Sequence, residues 1–248
     1  MIYKIERYGE RYKLVVYKTM PSGERVLDVE KFLSDDAKTM KAKADDKLTN
    51  NLSRAKSRVL ELALCNPWEY FITLTISAHK QDRFALDNYI KALGNWISNY
   101  NKKYNCKLQY LLVPECHKDD AWHLHGFFNG VAPDSIHINE HGYLDMIYYQ
   151  NRFGWIYLDK IRNKQKCSTY ISKYITKQYE STVLSGIEVG KHMFYASKGL
   201  NSKEVVESGY VDIEVLTSMW ENDYVGISWA DSVEELEKLI DNSYTERS

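Results

Sequence analysis

The sequence predicts an α+β fold, on three observations. Short segments alternate apolar and polar residues, and longer ones repeat their apolar residues at helical spacing. Two of the alternating segments are joined by the polar stretch Cys116-His-Lys-Asp-Asp-Ala121, as the strands of a hairpin would be. In chain order, Tyr3–Tyr8 and Tyr12–Tyr17 alternate, and the turn chemistry of Met20-Pro-Ser-Gly-Glu24 leads into Arg25–Glu30, so the N-terminus reads as a small antiparallel meander. Ser34 or Asp35 can cap a helical stretch reaching about Leu64, in which Leu52, Ala55, Val59, Leu60 and Ala63 recur at helical spacing before Pro67 stops it. Phe71–Ile76 is a strand, and Arg83–Tyr100 is a helix with Phe84, Leu86, Tyr89, Ile90, Leu93, Trp96 and Ile97 on its apolar side. Leu108–Pro114 and Trp122–Phe128 are the hairpin strands. Trp155–Ile161 is a further strand, Lys164–Gln178 a helix, His192–Ser197 a strand and Asp231–Ile240 a short acidic helix.

Composition sets the bounds. With 248 residues, 44% of them hydrophobic and 27% charged, the chain can bury one sizeable core with flanking elements. It divides into an N-terminal extension of meander and helix (1–66), a core (67–203) and an acidic C-terminal extension (204–248). No apolar run approaches the roughly 18 residues of a membrane span, and the N-terminus has no signal-peptide core, so a cytoplasmic protein is expected. Cys65, Cys106, Cys116 and Cys167 show no CxxC spacing, which points to reduced thiols rather than a disulfide framework or a four-cysteine zinc site. The net charge of −1 conceals an asymmetry, because residues 204–248 carry −10 and residues 1–203 carry +9. Between Arg152 and Lys177 seven basic residues face only Asp159. Arg152, Arg162, Lys164 and Lys166 from this run, with Lys198 in a later basic turn, are the candidate nucleic-acid contacts.

Two constellations carry chemistry. His123-Leu124-His125 lies in a strand, whose period of two puts both imidazoles on one face and Leu124 on the other. A hairpin returning from Glu115 can bring its carboxylate beside them, which makes a two-histidine, one-carboxylate set with open coordination positions. Without Glu115 the pair reads equally as exposed or hydrogen-bonded strand histidines. The second constellation is Tyr170-Ile-Ser-Lys173-Tyr174-Ile-Thr-Lys177, where YxxK occurs twice. At about 100° per residue the two tyrosines share a helix face one turn apart, flanked by the lysines, while Ile171 and Ile175 form an adjoining apolar strip. A phenol becomes a nucleophile at neutral pH only where a cation stabilises its phenolate, and Lys173 and Lys177 can supply that field. The same octapeptide also fits an amphipathic helix whose tyrosines pack at a core boundary.

Taken together, the strand Phe71-Ile-Thr-Leu-Thr75, the stretch Trp122-His-Leu-His-Gly-Phe127 and the doubled YxxK resemble, in that order, the three motifs of the HUH endonucleases. The chain is most similar to the rolling-circle replication initiators of single-stranded DNA phages and small replicons. The resemblance spans Phe71 to Lys177 and leaves residues 1–66 and 203–248 outside it. It implies an antiparallel, RRM-like sheet with the histidine strand central and helices packed on it. It implies that Glu115, His123 and His125 hold Mg²⁺ or Mn²⁺, and that Tyr170 or Tyr174 attacks a phosphate of single-stranded origin DNA. The products would be a 5′-phosphotyrosyl link and a free 3′-OH for rolling-circle replication, with rejoining at termination. Tyr170, in the first YxxK, is the expected first nucleophile. No GxxxxGK[ST] is present, so strand separation would fall to a host helicase, with a host polymerase extending the 3′-OH. A small HUH tyrosine transposase would use the same chemistry, and a non-cleaving Rep-like repressor would bind the same DNA.

Overall fold

The structure, a computed structural model, describes residues 1–18, 37–117, 119–184, 192–211, 219–222 and 224–245; for 37–50, 176–184 and 241–245 it describes the backbone alone. The strands are β1 (Ile2–Tyr8), β2 (Arg11–Tyr17), β3 (Tyr70–Thr75), β4 (Gln109–Cys116), β5 (Trp122–Asn129), β6 (His137–Ile138), β7 (Leu144–Asp145), β8 (Ile156–Lys160), β9 (Tyr195–Ala196), β10 (Glu204–Tyr210), β11 (Trp220–Glu221) and β12 (Val225–Ala230). The helices are α1 (Ala37–Cys65), α2 (Leu86–Tyr104), α3 (Ile147–Gln150), α4 (Lys164–Leu184) and α5 (Val233–Thr245). The fold is α+β, with two antiparallel sheets. All four cysteines are free thiols, and no helix among the described residues is long and apolar enough to cross a membrane.

The chain forms two compact units, Met1–Asp45 with Asn201–Ser248, and Asp46–Leu200. In the first, β1 and β2 form the expected hairpin, turning at Gly9 with φ 66°. It pairs on one side with β10 and on the other with β12, in a five-stranded sheet ordered β10-β1-β2-β12-β11. Tyr3, Ile5, Leu14, Val16 and Ala230 from this sheet pack against Leu236 and Ile240 of α5. The acidic C-terminal segment therefore supplies three strands and a helix of a folded unit. The third strand of the meander expected at Arg25–Glu30 lies outside the described residues.

The second unit holds the predicted hairpin in a seven-stranded sheet ordered β6-β7-β8-β3-β5-β4-β9. Alternation gives the sheet two faces. Ile72 and Leu74 of β3, Leu112 of β4, and Leu124 and Phe128 of β5 pack against Leu86, Tyr89, Leu93, Trp96, Ile97 and Tyr100 of α2. Leu111, Val113 and Phe127 project to the other face, under Ile171, Tyr174 and Ile175 of α4 and Val59, Leu62 and Ala63 of α1. The histidine strand β5 thus runs between β3 and β4 with an apolar layer beneath it. Asn163 starts α4, its Oδ1 accepting the Lys166 N–H at 2.8 Å.

Gly126 separates His125 from the apolar end of β5, and there is no room for a side chain there. A Cβ at this position would lie 1.9 Å from the Leu111 carbonyl oxygen of β4. Gly126→Ala must therefore part β5 from β4, at a cost of at least about 3 kcal/mol. Urea unfolding monitored by circular dichroism should show that loss; a variant within about 1 kcal/mol of wild type would refute the packing.

Candidate metal and tyrosine site

The site is assembled by strand register. β5 pairs with β3 so that Thr73 stands opposite His125 and Thr75 opposite His123. Each threonine hydroxyl lies 3.2 Å from the Nδ1 of its histidine. These contacts fix both ring planes and leave each Nε2 for other partners. On its other side β5 pairs with β4, which sets Glu115 opposite His123. Glu115 Oε2 comes within 2.8 Å of His125 Nε2 and 3.7 Å of His117 Nε2.

The donor atoms that converge most closely belong to Glu115, His117 and His125, all within 4.8 Å of one another. His123 stands beside this group, its ring stacked on that of His117 with centroids 3.8 Å apart and planes 10° from parallel. The set expected from the sequence is Glu115, His123 and His125, without His117. A signal for His117 exists: it follows Glu115 by two residues, the spacing that keeps side chains on one face of a strand.

The chemistry of the group suits a cation. His125 is 8% exposed, and its Nε2 faces the Glu115 carboxylate without a hydrogen bond of acceptable geometry. Burial pulls the His125 pKa down to about 4, a shift that the Glu115 carboxylate opposes without cancelling. His123 is also lowered, by burial and then by neighbouring His117. At neutral pH the site therefore presents neutral imidazoles and a carboxylate, the donor state that divalent metals bind.

The tyrosines of α4 reach this group from above. The Tyr174 ring lies flat on His125, with centroids 4.0 Å apart and planes 15° from parallel. Its hydroxyl is 2.8 Å from that of Tyr170. Tyr174 is 7% exposed and Tyr170 47%. Burial and the Tyr170 hydrogen bond push the Tyr174 phenol well above its ordinary range. Tyr170 also meets Phe71 of β3, with centroids 5.7 Å apart. Lys173 is exposed, and the Lys177 side chain lies outside the described residues. Of the basic candidates, Arg152, Arg162, Lys166 and Lys198 are exposed or partly so, whereas Lys164 is half-buried with its Nζ 3.5 Å from the Asn66 carbonyl oxygen.

Residues 69–179 match a family model, that of the replication-associated protein ORF2. The matched segment is somewhat under half the chain and contains Glu115, His117, His123, His125, Tyr170 and Tyr174. It supports a replication-initiator family and, with it, a role in DNA replication. No curated protein and no solved structure matches the chain.

The His125 shift has a measurable consequence. In the unfolded chain the imidazole takes up a proton near 6.5, and in the fold only near 4. Between these values the unfolded state binds more protons, so stability falls as the pH drops through that window. In chelator-treated protein, urea unfolding from pH 7 to 4.5 should show this slope, and His125→Gln should reduce it by about one proton. Equal slopes in the two proteins would contradict the burial of His125.

Proposed function

We propose that the chain is a metal-dependent HUH endonuclease and strand transferase that nicks single-stranded origin DNA to begin rolling-circle replication. The observation that carries this reading is the stacking of Tyr174 on His125 with Tyr170 hydrogen-bonded to it, which joins a paired-tyrosine helix to a two-histidine, one-carboxylate group. Glu115, His117 and His125 would hold a divalent ion, Mg²⁺ or Mn²⁺, with His123 stacked on the third ligand. Such an ion would supply Lewis-acid polarisation of a DNA phosphate oxygen.

Tyr170 is the nucleophile in this reading, because it combines exposure with a hydroxyl held in place by Tyr174. Its oxygen attacks the phosphorus, a tyrosyl O–P bond forms as the P–O3′ bond breaks, and the 3′-oxygen leaves as a hydroxyl after gaining a proton. The phenolic proton is lost from Tyr170, so the step is balanced. Reversal by an incoming 3′-OH rejoins strands, which termination requires. Tyr174 orients Tyr170 and, once Tyr170 is occupied, is the second phenol for a further transfer. Lys173, Lys177, Arg152, Arg162, Lys164, Lys166 and Lys198 supply positive charge toward the strand, while a host helicase and polymerase act on the opened duplex.

A labelled library of single-stranded oligonucleotides incubated with the protein and Mn²⁺ should yield a covalent adduct resistant to denaturation, with mass mapping to Tyr170. Tyr170→Phe should abolish it, and Glu115→Ala should reduce it at least about 100-fold. An adduct mapping to Tyr174 would exchange the two roles, and no adduct with any oligonucleotide would favour a repressor that binds without cutting. Calorimetric titration with Mn²⁺ separates the imidazoles. His117→Ala and His125→Ala should each weaken binding at least about tenfold, and His123→Ala should do less; the reverse order for His117 and His123 would restore the ligand set implied by the resemblance.

A further inference from the structure

The face that carries the histidines extends past β3 onto β8. Pairing sets Tyr157 opposite Thr73 and Asp159 opposite Phe71, and the Thr75 N–H donates to the Trp155 carbonyl at 2.8 Å. Residues opposite one another on neighbouring strands share a face. Trp155, Tyr157 and Asp159 therefore run parallel to Thr75, Thr73 and Phe71 and, one strand further, to His123, His125 and Phe127. At about 4.8 Å per strand, the β8 row stands about 10 Å from the histidine row.

These aromatics do not serve the core. Ile156 and Leu158 fill the opposite face at 4% and 2% exposure, whereas Trp155 and Tyr157 are 68% and 42% exposed. Tyr143, itself exposed, props the Tyr157 ring edge-on with centroids 5.4 Å apart. At the far end of the row a cleft of about 420 Å³ is lined by Phe71, Asp159, Lys160, Arg162 and Lys166 among others, three cations against one carboxylate. Phe71 in its wall contacts Tyr170, so the row, the cleft and the tyrosine pair form one continuous surface.

We infer that Trp155 and Tyr157 form a stacking track for unpaired bases flanking the phosphate delivered to Tyr170, with Lys160, Arg162 and Lys166 holding the strand's backbone at the cleft. The inference rests on reading the site as one that acts on single-stranded DNA. A single strand fits the chemistry, because aromatic faces accept any base in the absence of pairing, and the cations beside them neutralise phosphate. Alternate residues on a strand are about 6.6 Å apart, roughly twice the rise of stacked bases, so each ring can meet a separate base. Duplex DNA offers no base faces and would not use the track.

Binding is measured on the full chain in chelator, where no cleavage proceeds, by fluorescence anisotropy of a labelled oligothymidylate of about 12 nucleotides. Trp155→Ala and Tyr157→Ala should each weaken binding about tenfold with an unchanged salt slope. Trp155→Phe should retain most of the affinity, and Lys166→Ala should reduce the slope by about one. Full affinity in the double variant overturns the track even if the covalent adduct still forms, as does a wild type that does not bind the oligonucleotide. Unchanged affinity with altered self-association in sedimentation would assign the aromatics to a protein contact and likewise overturns it. Loss of affinity in a chain that forms no adduct upholds the track and rejects the nicking reaction.

Discussion

The register of β5 between β3 and β4 is the constraint from which the site follows. A slip of one residue would turn His123 and His125 into the layer beneath the sheet and bring Leu124 to the surface. The register is held by the fit of Leu124 and Phe128 against α2, of Phe127 against α4 and α1, and by the absence of a side chain at Gly126. Thr73 and Thr75 then fall opposite His125 and His123, and Glu115 opposite His123, with no further instruction. Packing on both faces positions polar groups that contribute little to stability themselves.

Those polar groups are held in a state that folding alone does not satisfy. Burial keeps the His125 imidazole neutral down to about pH 4 while a carboxylate oxygen stands 2.8 Å from its Nε2. Desolvation and attraction oppose one another here, and desolvation prevails. A cation between these donors relieves both, because it replaces lost solvation and screens the carboxylate. The Tyr174 ring above His125 closes the group on one side and carries the Tyr170 hydroxyl with it.

Much of this is legible in the sequence because it depends on short-range period. β3, β4, β5 and α4 each follow from alternation or helical spacing, and the common face of His123 and His125 is a consequence of the strand alone. The roles of Thr73 and Thr75 are not legible, since nothing local says which threonine of β3 will oppose which histidine of β5. His117 reads as part of a polar loop because the hairpin's end blurs where the strand's period stops. β10 and β12 escape for a different reason. Glu204–Tyr210 reads as acidic surface and Val225–Ala230 is broken by Gly226, and their partners β1 and β2 lie roughly 200 residues away in sequence, where no local window can see them.

The same long-range pairing changes the meaning of the charge distribution. Along the chain the negative charge looks like an acidic tail facing a basic body. In the fold, Asp231 pairs with Arg11 at 3.0 Å and Glu221 with Lys18 at 2.9 Å, so acidic residues of the C-terminal segment meet basic residues of the N-terminal hairpin. Exposed pairs of this kind add little stability, but they commit charge within the first unit. That unit has 13 basic and 20 acidic residues, a net −7, while the unit with the histidines and tyrosines has 20 basic and 14 acidic, a net +6. The electrostatic asymmetry is therefore a property of folded units, and the positive one is the unit that carries Lys160, Arg162 and Lys166 beside Tyr170. A near-neutral chain can in this way present a local field suited to phosphate without the high isoelectric point that marks many nucleic-acid binders.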